Sequence, residues 1–506
     1  MSIARLSIAV AAALGSSTAS ASGSIVFDNT LPGQAHGTTT TVPLSAGHYT
    51  IDASNTGYLS NTNLFESFAT FIVGAAEEAD FTNSTHLQID NVISRVTGIG
   101  APNGLQPTTI DGKVVSTIAG ANFWFVNPAG VAIGSGTSIN VPAGLAIGTS
   151  DFIQFADSSR WYVLQNAAPT PSVLSTASPA AFGFLSTPAA GALTVRSAQL
   201  SSATGGNLLL SGGAAGVTVS NSQLTTSNAM GGAASGDIDV TSAGQLTIQN
   251  STLSSETFTA ANAGSINLTS NGPMSISGGS SLTSADSGSG QGPAGNISLT
   301  AAAMHVAGGK ISSSGNAGVV SLTATGTDGP DAPALLVDGG AQIESSLAAG
   351  LGFNSDGASG NIQLRAAAGT VTVSGVPGTP SGATILSSSG VGPSASAGSV
   401  SLTGTNVSLQ GALIETTTGA ESGVRPGLVT VNATGNAVLD NTLINTESSG
   451  FGTPAGSISI SGAGSVSING GHRDFPVVRR ATSRCIRARR IAAMRVRSAF
   501  LPLTAW

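Results

Sequence analysis

Residues 264–299 read GSINLTSNGPMSISGGSSLTSADSGSGQGPAGNISL. The stretch opens and closes on one phrase, a glycine leading an apolar/polar/apolar alternation: Ile266-Asn-Leu268 and, 31 residues later, Ile297-Ser-Leu299. Because strand side chains alternate between faces, Ile297 and Leu299 share one side and Ser298 takes the other. Working outward, the phrase returns nine times, led by Gly206, Gly236, Gly264, Gly295, Gly318, Gly360, Gly398, Gly427 and Gly456, at intervals of 30, 28, 31, 23, 42, 38, 29 and 29 residues. A second alternation follows in most intervals (Val217-Thr-Val219, Leu246-Thr-Ile248, Met274-Ser-Ile276, Val371-Thr-Val373, Val407-Ser-Leu409), then a shorter third, as in Ala412-Leu-Ile414. Three short strands per turn of chain, repeated, predict an all-β fold: a right-handed parallel β-helix over 206–470. Its apolar residues fill the tube, its Ser, Thr and Asn residues are solvated, and each coil relies on its neighbours for burial. Longer intervals carry Pro-Gly-Ser inserts such as Gly375–Gly382, read as corner loops.

Composition agrees. Among 506 residues, 68 are glycine, 8% are charged and 4% aromatic, yet 40% are hydrophobic. The apolar residues fall at period two, which argues against disorder. A single cysteine, Cys485, excludes a disulfide framework or a multi-cysteine metal site. Residues 1–21 read as a signal peptide: Arg5, an apolar run Leu6–Leu14, and Ala19-Ser20-Ala21 as a cleavage site. That run is too short to span a hydrocarbon core.

Residues 22–165 form a second region, since they hold Trp124, Trp161, Tyr49, Tyr58 and Tyr162, after which neither Trp nor Tyr recurs before Trp506. A denser core is expected there, capping an edge that would otherwise be open to aggregation. Phe65, Phe68 and Phe71, three apart, fit either a helical face or a strand with a turn, and are expected to pack beneath the cap. Pro128 and Gly130 suit a tight turn joining the strands Phe123–Val126 and Val131–Ile133. Residues 166–205 are left as a transition segment.

Within the amino-terminal region the chain reads NLFESFATF from Asn63, NVISRVTG from Asn91, IDGKV from Ile110 and ANFWFVNPAGVAIGSGTSINVPAGLAIGTSDFIQF from Ala121. In that order these stretches resemble the filamentous haemagglutinin amino-terminal domain, the secretion domain of two-partner secretion exoproteins, over about residues 25–160. The family turn is commonly Asn-Pro-Asn-Gly; here it is Asn127-Pro128-Ala129-Gly130, one polar side chain fewer. The resemblance implies export through an outer-membrane two-partner transporter, to the surface or surroundings of a Gram-negative cell by way of the periplasm, and an adhesin-like shaft. It marks Asn63, Leu64, Phe65, Phe68, Asn127, Pro128 and Gly130 as candidate partner-recognition residues. By the same resemblance, secretion belongs to the domain as a folding unit, with no small catalytic set.

Polysaccharide lyases and hydrolases also use parallel β-helices, and they need clustered carboxylates with aromatic sugar platforms. Residues 206–470 offer 13 acidic residues, three bases (Lys310, Arg365 and Arg425), one histidine (His305) and Phe258, Phe353 and Phe451. The expectation is that the chain is not an enzyme. Asp237 and Asp239 flank Ile238 and read as a solvated pair before a cation site. His36, His48, His86, His305 and His472 show no ligand spacing, so neither metal nor cofactor is expected. Residues 1–470 carry 8 basic and 23 acidic groups, which disfavours nucleic acid. The tail, 471–506, holds nine Arg and one Asp and abandons the repeat; it reads as sequence out of frame, with a basic arm as the functional alternative. The sequence reading is therefore a two-partner-secreted adhesin. A polysaccharide-active enzyme and the truncated stem of a contact-dependent toxin are the alternatives, and the receptor has no residue code.

Overall fold

In a computed structural model of the chain, each glycine-led phrase is a strand lying parallel on the phrase one coil earlier. Ile266 faces Ile238 on one side and Ile297 on the other, and Leu268 faces Val240 and Leu299. Second phrases stack likewise, Pro273–Ser277 between Leu246–Gln249 and Ala303–Ala307. The third column places Ser281–Asp286 between Thr252–Thr257 and Lys310–Ser314. First and second columns belong to a 28-stranded sheet and the third to a 15-stranded one. The chain is a parallel β-helix, with no helical segment among the described residues. Those are residues 22–469, without 165–167, 186–190, 203–204, 227–232, 259–260, 287–291, 331, 348–356, 376–383, 389–395, 419–425 and 449–454, plus the backbone of Val496–Arg497. The signal segment, nearly all of the basic tail and most of the Gly375–Gly382 insert lie outside them.

The lumen follows the strand period. Ile266, Leu268, Met274, Ile276 and Leu282 are fully buried, and one apolar cluster runs from Ile25 to Ile444. The leading glycines have a different cause, which is close approach of backbone to backbone. A Cβ on Gly264 would meet the Gly236 carbonyl oxygen at 2.1 Å, on Gly360 that of Gly318 at 1.9 Å, and on Gly427 that of Gly398 at 1.9 Å. Any side chain there would hold neighbouring coils apart.

One column departs from the expectation that hydroxyls face water. On the third strands, Ser255, Ser284, Ser313, Ser345 and Ser387 share the inward parity of Leu253, Leu282, Ile311, Ile343 and Ile385, and all five are fully buried. Each donates to a leading glycine carbonyl: Ser284 Oγ to Gly264 at 2.8 Å, Ser313 to Gly295 at 2.9 Å, Ser345 to Gly318 at 2.8 Å. Ser284 Oγ also accepts from the next leading glycine, Gly295 N, at 2.9 Å. The hydroxyl thereby closes its own coil and ties it to the following one. A buried hydroxyl is tolerable here because both its donor and acceptor capacities are used.

Coils do not begin at Gly206. Upstream, Asn63–Val73, Asn91–Val96, Asn122–Val126 and Leu145–Gly148 occupy the first column, and Leu145–Gly148 pairs directly with Leu208–Gly212. The amino-terminal region thus does cap the rod, and it also supplies the rod's first coils. Capping proper falls to antiparallel strands: Ser24–Phe27 along Asn63–Val73, Thr40–Thr41 beside it, and Leu44–Ser45 against His48–Asp52 at the head of the third column. The coil stack is therefore continuous across residue 206. After Gly148 the chain leaves the helix, builds an antiparallel sheet from Phe152–Phe155, Arg160–Tyr162 and Pro179–Gly183, and rejoins the second column at Leu193–Arg196.

Of the three phenylalanines, Phe65 faces outward and Phe68 inward by simple alternation, and the step from Phe68 to Phe71 is a bulge. Phe27 pairs with Phe68 but Val26 pairs with Thr70, leaving Ala69 as one extra residue. That slip returns Phe71 to the lumen beside Phe68, at ring-centroid distance 5.1 Å.

Candidate functional site

What distinguishes the amino-terminal coils is that their first column is buried on both faces. Inward, Leu64, Phe68, Val92, Val96, Phe123 and Phe125 join the main core. Outward, Phe65, Ile93 and Val126 form a second core with Leu31, Ile153, Phe155, Trp161 and Val163 of the cap and the antiparallel sheet. Phe65 meets Trp161 edge-on at 5.0 Å and Phe155 at 5.9 Å, and Trp124 meets Phe182 at 5.2 Å.

A polar network binds these layers at one point. Arg95, buried, donates from Nε to Ser67 Oγ at 2.9 Å, from one terminal nitrogen to Thr30 Oγ1 at 3.1 Å and from the other to the Tyr162 carbonyl. Its guanidinium lies 4.4 Å from the Trp161 ring centroid. Asp28 accepts from Ser67 Oγ at 2.8 Å, from Thr30 Oγ1 at 2.8 Å and from the Thr97 hydroxyl. Burial lowers the Arg95 guanidinium to about 10, with nearby Asp28 opposing, so it stays charged at neutral pH. One side chain therefore joins the segment Asp28–Thr30, the first two coils and the antiparallel sheet.

Asn63 heads a ladder. Its Oδ1 accepts from Asn91 Nδ2 at 2.9 Å, and Asn91 Oδ1 accepts from Asn122 Nδ2 at 3.0 Å. Its own Nδ2 donates to the carbonyls of Ser175 at 2.9 Å and Ala177 at 2.6 Å, fastening the antiparallel sheet's connecting chain to the coils. At the predicted turn, Asn127 Oδ1 accepts from Ala129 N at 3.0 Å, while its Nδ2 donates to Gln106 O at 2.9 Å and Thr108 Oγ1 at 3.0 Å. Gly130 has φ of 127°, and a Cβ on Gly191 would lie 2.3 Å from Gly130 N. Here the departing chain rejoins the helix, Gly191 N donating to Pro128 O at 3.2 Å. The missing Asn side chain at Ala129 leaves this turn closed by Asn127.

Glu66 lies on the strand Asn63–Val73, within NLFESFATF. It shares the inward side of Leu64 and Phe68 and is completely buried; Thr56 donates to Oε1 at 2.9 Å, and Oε2 has no partner. Its register neighbour Ser94 likewise carries a buried hydroxyl without a partner. Burial pushes the Glu66 carboxyl up to about 8; the Thr56 hydrogen bond opposes this and the charge of Asp52 adds to it. At neutral pH the side chain is predominantly a neutral acid.

All seven candidate recognition residues are buried: Asn63, Leu64, Phe65, Phe68, Asn127, Pro128 and Gly130. In the folded coils they shape the helix and hold its outer sheet, presenting no surface to a partner. The charged residues singled out in the repeats serve the stack as well. Asp237 accepts from Ser265 N at 2.7 Å and Asp239 from Asn267 Nδ2 at 2.8 Å. Burial raises the Asp239 carboxyl, Asn267 opposing and Asp237 adding to the rise. Parallel stacking also joins residues about one coil apart in sequence, a signal that ligand-spacing rules do not read. His48 Nδ1 lies 2.7 Å from Asp80 Oδ2, and His305 Nε2 lies 2.9 Å from Asp338 Oδ1.

The family model described as TPS secretion domain matches residues 24–313, which takes in the cap, the amino-terminal coils, the antiparallel sheet and the first repeats. Among solved structures, the chain is similar to the HMW1 secretion domain from Haemophilus influenzae. That likeness has 12% sequence identity and a TM-score of 0.42, covering 80% of this chain and 97% of that one. No curated protein matches.

Proposed function

Because the chain belongs to the TPS secretion domain family, and is thereby an exoprotein of two-partner secretion with an outer-membrane transporter as partner, we propose that its amino-terminal coils are what the transporter recognises and that the rod beyond them is a non-enzymatic adhesin. The route runs from a cleaved signal at Ala21 through the periplasm of a Gram-negative cell to its surface or surroundings. In this reading the buried residues Asn63–Phe68 and Asn127–Gly130 act through the coil geometry they enforce.

The adhesin reading rests on how the repeats use their polar groups. Carboxylates that an enzyme would cluster for acid–base work instead bond the neighbouring coil: Asp237 and Asp239 as above, and Asp328 to Thr370 N at 2.6 Å and Thr370 Oγ1 at 2.7 Å. Much of what the first column offers outward is small hydroxyl and amide side chains in register, such as Asn267, Ser298 and Ser321, suited to many weak contacts along a rod.

Three deletions separate address from cargo. Removing Asn63–Phe71, or the turn Asn127–Gly130, is expected to leave signal cleavage intact and strand the protein in the periplasm of cells carrying the transporter. Removing one whole coil beyond the matched secretion domain, Gly398–Pro426, should still yield a secreted, shorter rod, since the strands on either side can restack. Secretion unaffected by the first pair of deletions would sink the recognition reading. For the rod, the purified chain should bind host or bacterial cell surfaces and leave polysaccharides intact; newly formed reducing or unsaturated sugar ends would replace adhesin by enzyme.

A further inference from the structure

The first two coils bring three metal-type donors together on the outer face of the third column. His48 lies on the strand His48–Asp52, and Glu78 and Asp80 on the adjacent parallel strand Glu78–Thr82, with His48 opposite Glu78 and Thr50 opposite Asp80. Since residues two apart share a strand face, Glu78 and Asp80 flank the histidine from one side. One ligand atom from each of the three lies within 4.8 Å of the others. We propose that His48, Glu78 and Asp80 bind a zinc-type divalent cation that staples the first coil to the second.

Three observations support the assignment. The donor set is one imidazole with two carboxylates, which suits Zn²⁺ and its borderline neighbours, whereas Ca²⁺ and Mg²⁺ favour oxygen alone. The main-chain ladder fixes the register of the three donor residues, so only side-chain turns are left to order. A tetrahedral zinc site holds its ligands about 3.4 Å apart given metal–ligand distances of about 2.1 Å; the His48 Nδ1–Asp80 Oδ2 contact opens from 2.7 Å and Glu78 closes in from within 4.8 Å, small turns for side chains that are 49% exposed at His48, 23% at Glu78 and 20% at Asp80. Finally, a cation already attends the group: Lys113, on the next strand and opposite Glu78, holds Nζ 3.8 Å from Glu78 Oε2. Its ammonium is loose and 61% exposed, so it marks a local demand for positive charge that a metal would meet more fully. Water would complete the coordination on the open side.

This inference is independent of the secretion reading and is tested on the full chain. Zn²⁺ is titrated in competition with a chromophoric chelator, and Co²⁺ absorption reports nitrogen–oxygen coordination. The expected result is that His48→Ala binds one Zn²⁺ fewer than the parent chain and that Asp80→Asn weakens the site more than about tenfold, since even outer-shell partners command changes of that size. Lys113→Ala, which removes the competing ammonium, should tighten binding. Thermal unfolding in chelator serves as the control and should match the parent for all three, because the side chains are largely outside the core. An undiminished zinc count in His48→Ala, weaker or unchanged binding in Lys113→Ala, or Ca²⁺ displacing Zn²⁺ at equal concentration would each overturn the assignment.

Discussion

The amino-terminal coils and the repeats share one backbone path and differ in what lies outside it. In the repeats a strand such as Ile297–Ala301 buries Ile297 and Leu299 and leaves Ser298 half-exposed. In the amino-terminal coils Asn63–Val73 buries Leu64 inward, Phe65 outward, and even Glu66 and Ser67. Parallel strands covered on both faces lose their alternation in sequence, which is why NLFESFATF does not look like GNISL although both occupy the first column. One coil design thus yields a thin rod stabilised only by its neighbours, or a thick one stabilised also by a second layer.

The comparison breaks first where inside and outside are exchanged. Ile297→Asp should cost more than about 4 kcal/mol by placing a carboxylate in the lumen, while Ser298→Asp stays within roughly 0.5 kcal/mol, both read from denaturant midpoints. In the amino-terminal coils the outside should matter too. Trp161→Ala is expected to cost about 3–5 kcal/mol, because it empties the centre of the second core and uncovers Arg95; a loss below about 1 kcal/mol would make the outer sheet an ornament. Glu66→Gln should act in the opposite direction. The folded carboxyl titrates at about 8 and the unfolded one near 4.5, so the folded chain holds a proton that the unfolded chain has released. Stability is therefore full below about pH 4.5, falls as pH rises towards 8, and Gln abolishes that slope, with a gain of a few kcal/mol at pH 8. Unfolding measured from pH 5 to 8 with an unchanged slope in Glu66→Gln would show that Glu66 is ionised in the fold. Smallest is Ser284→Ala, about 1 kcal/mol for an inward hydroxyl, against no measurable change for Ser298→Ala.

The repeats were legible because Ile266, Leu268 and their counterparts obey a period of two and because a glycine marks each start. Their inward hydroxyls were not. Ser284 in SLTSAD sits where the alternation calls for an apolar residue, and only the backbone path reveals that Gly264 O and Gly295 N are within its reach. In the amino-terminal region NLFESFATF, NVISRV and NFWFV are strands, yet local sequence could not show that Asn63, Asn91 and Asn122 stack, since their contact depends on coil length. Arg95 did carry a signal: a lone cation in the apolar strand NVISRV demands buried partners. Nothing nearby in sequence says that they are Asp28, Ser67 and Tyr162. The same limit hid His48 from Glu78 and Asp80.

The hydrogen bonds between coils run along the rod, and this sets how the molecule would behave under load. Drag on an anchored rod pulls parallel to those bonds, so tension falls on the ladder at one end and not on all coils in shear together. The rod would then yield by peeling, one coil at a time. Each released coil of about 30 residues adds roughly 100 Å of extended chain in place of a rise of about 4.8 Å. A rod of that kind lengthens in steps under load, and the amino-terminal coils, sewn to a second layer through Arg95 and Asn63, would be the last to give.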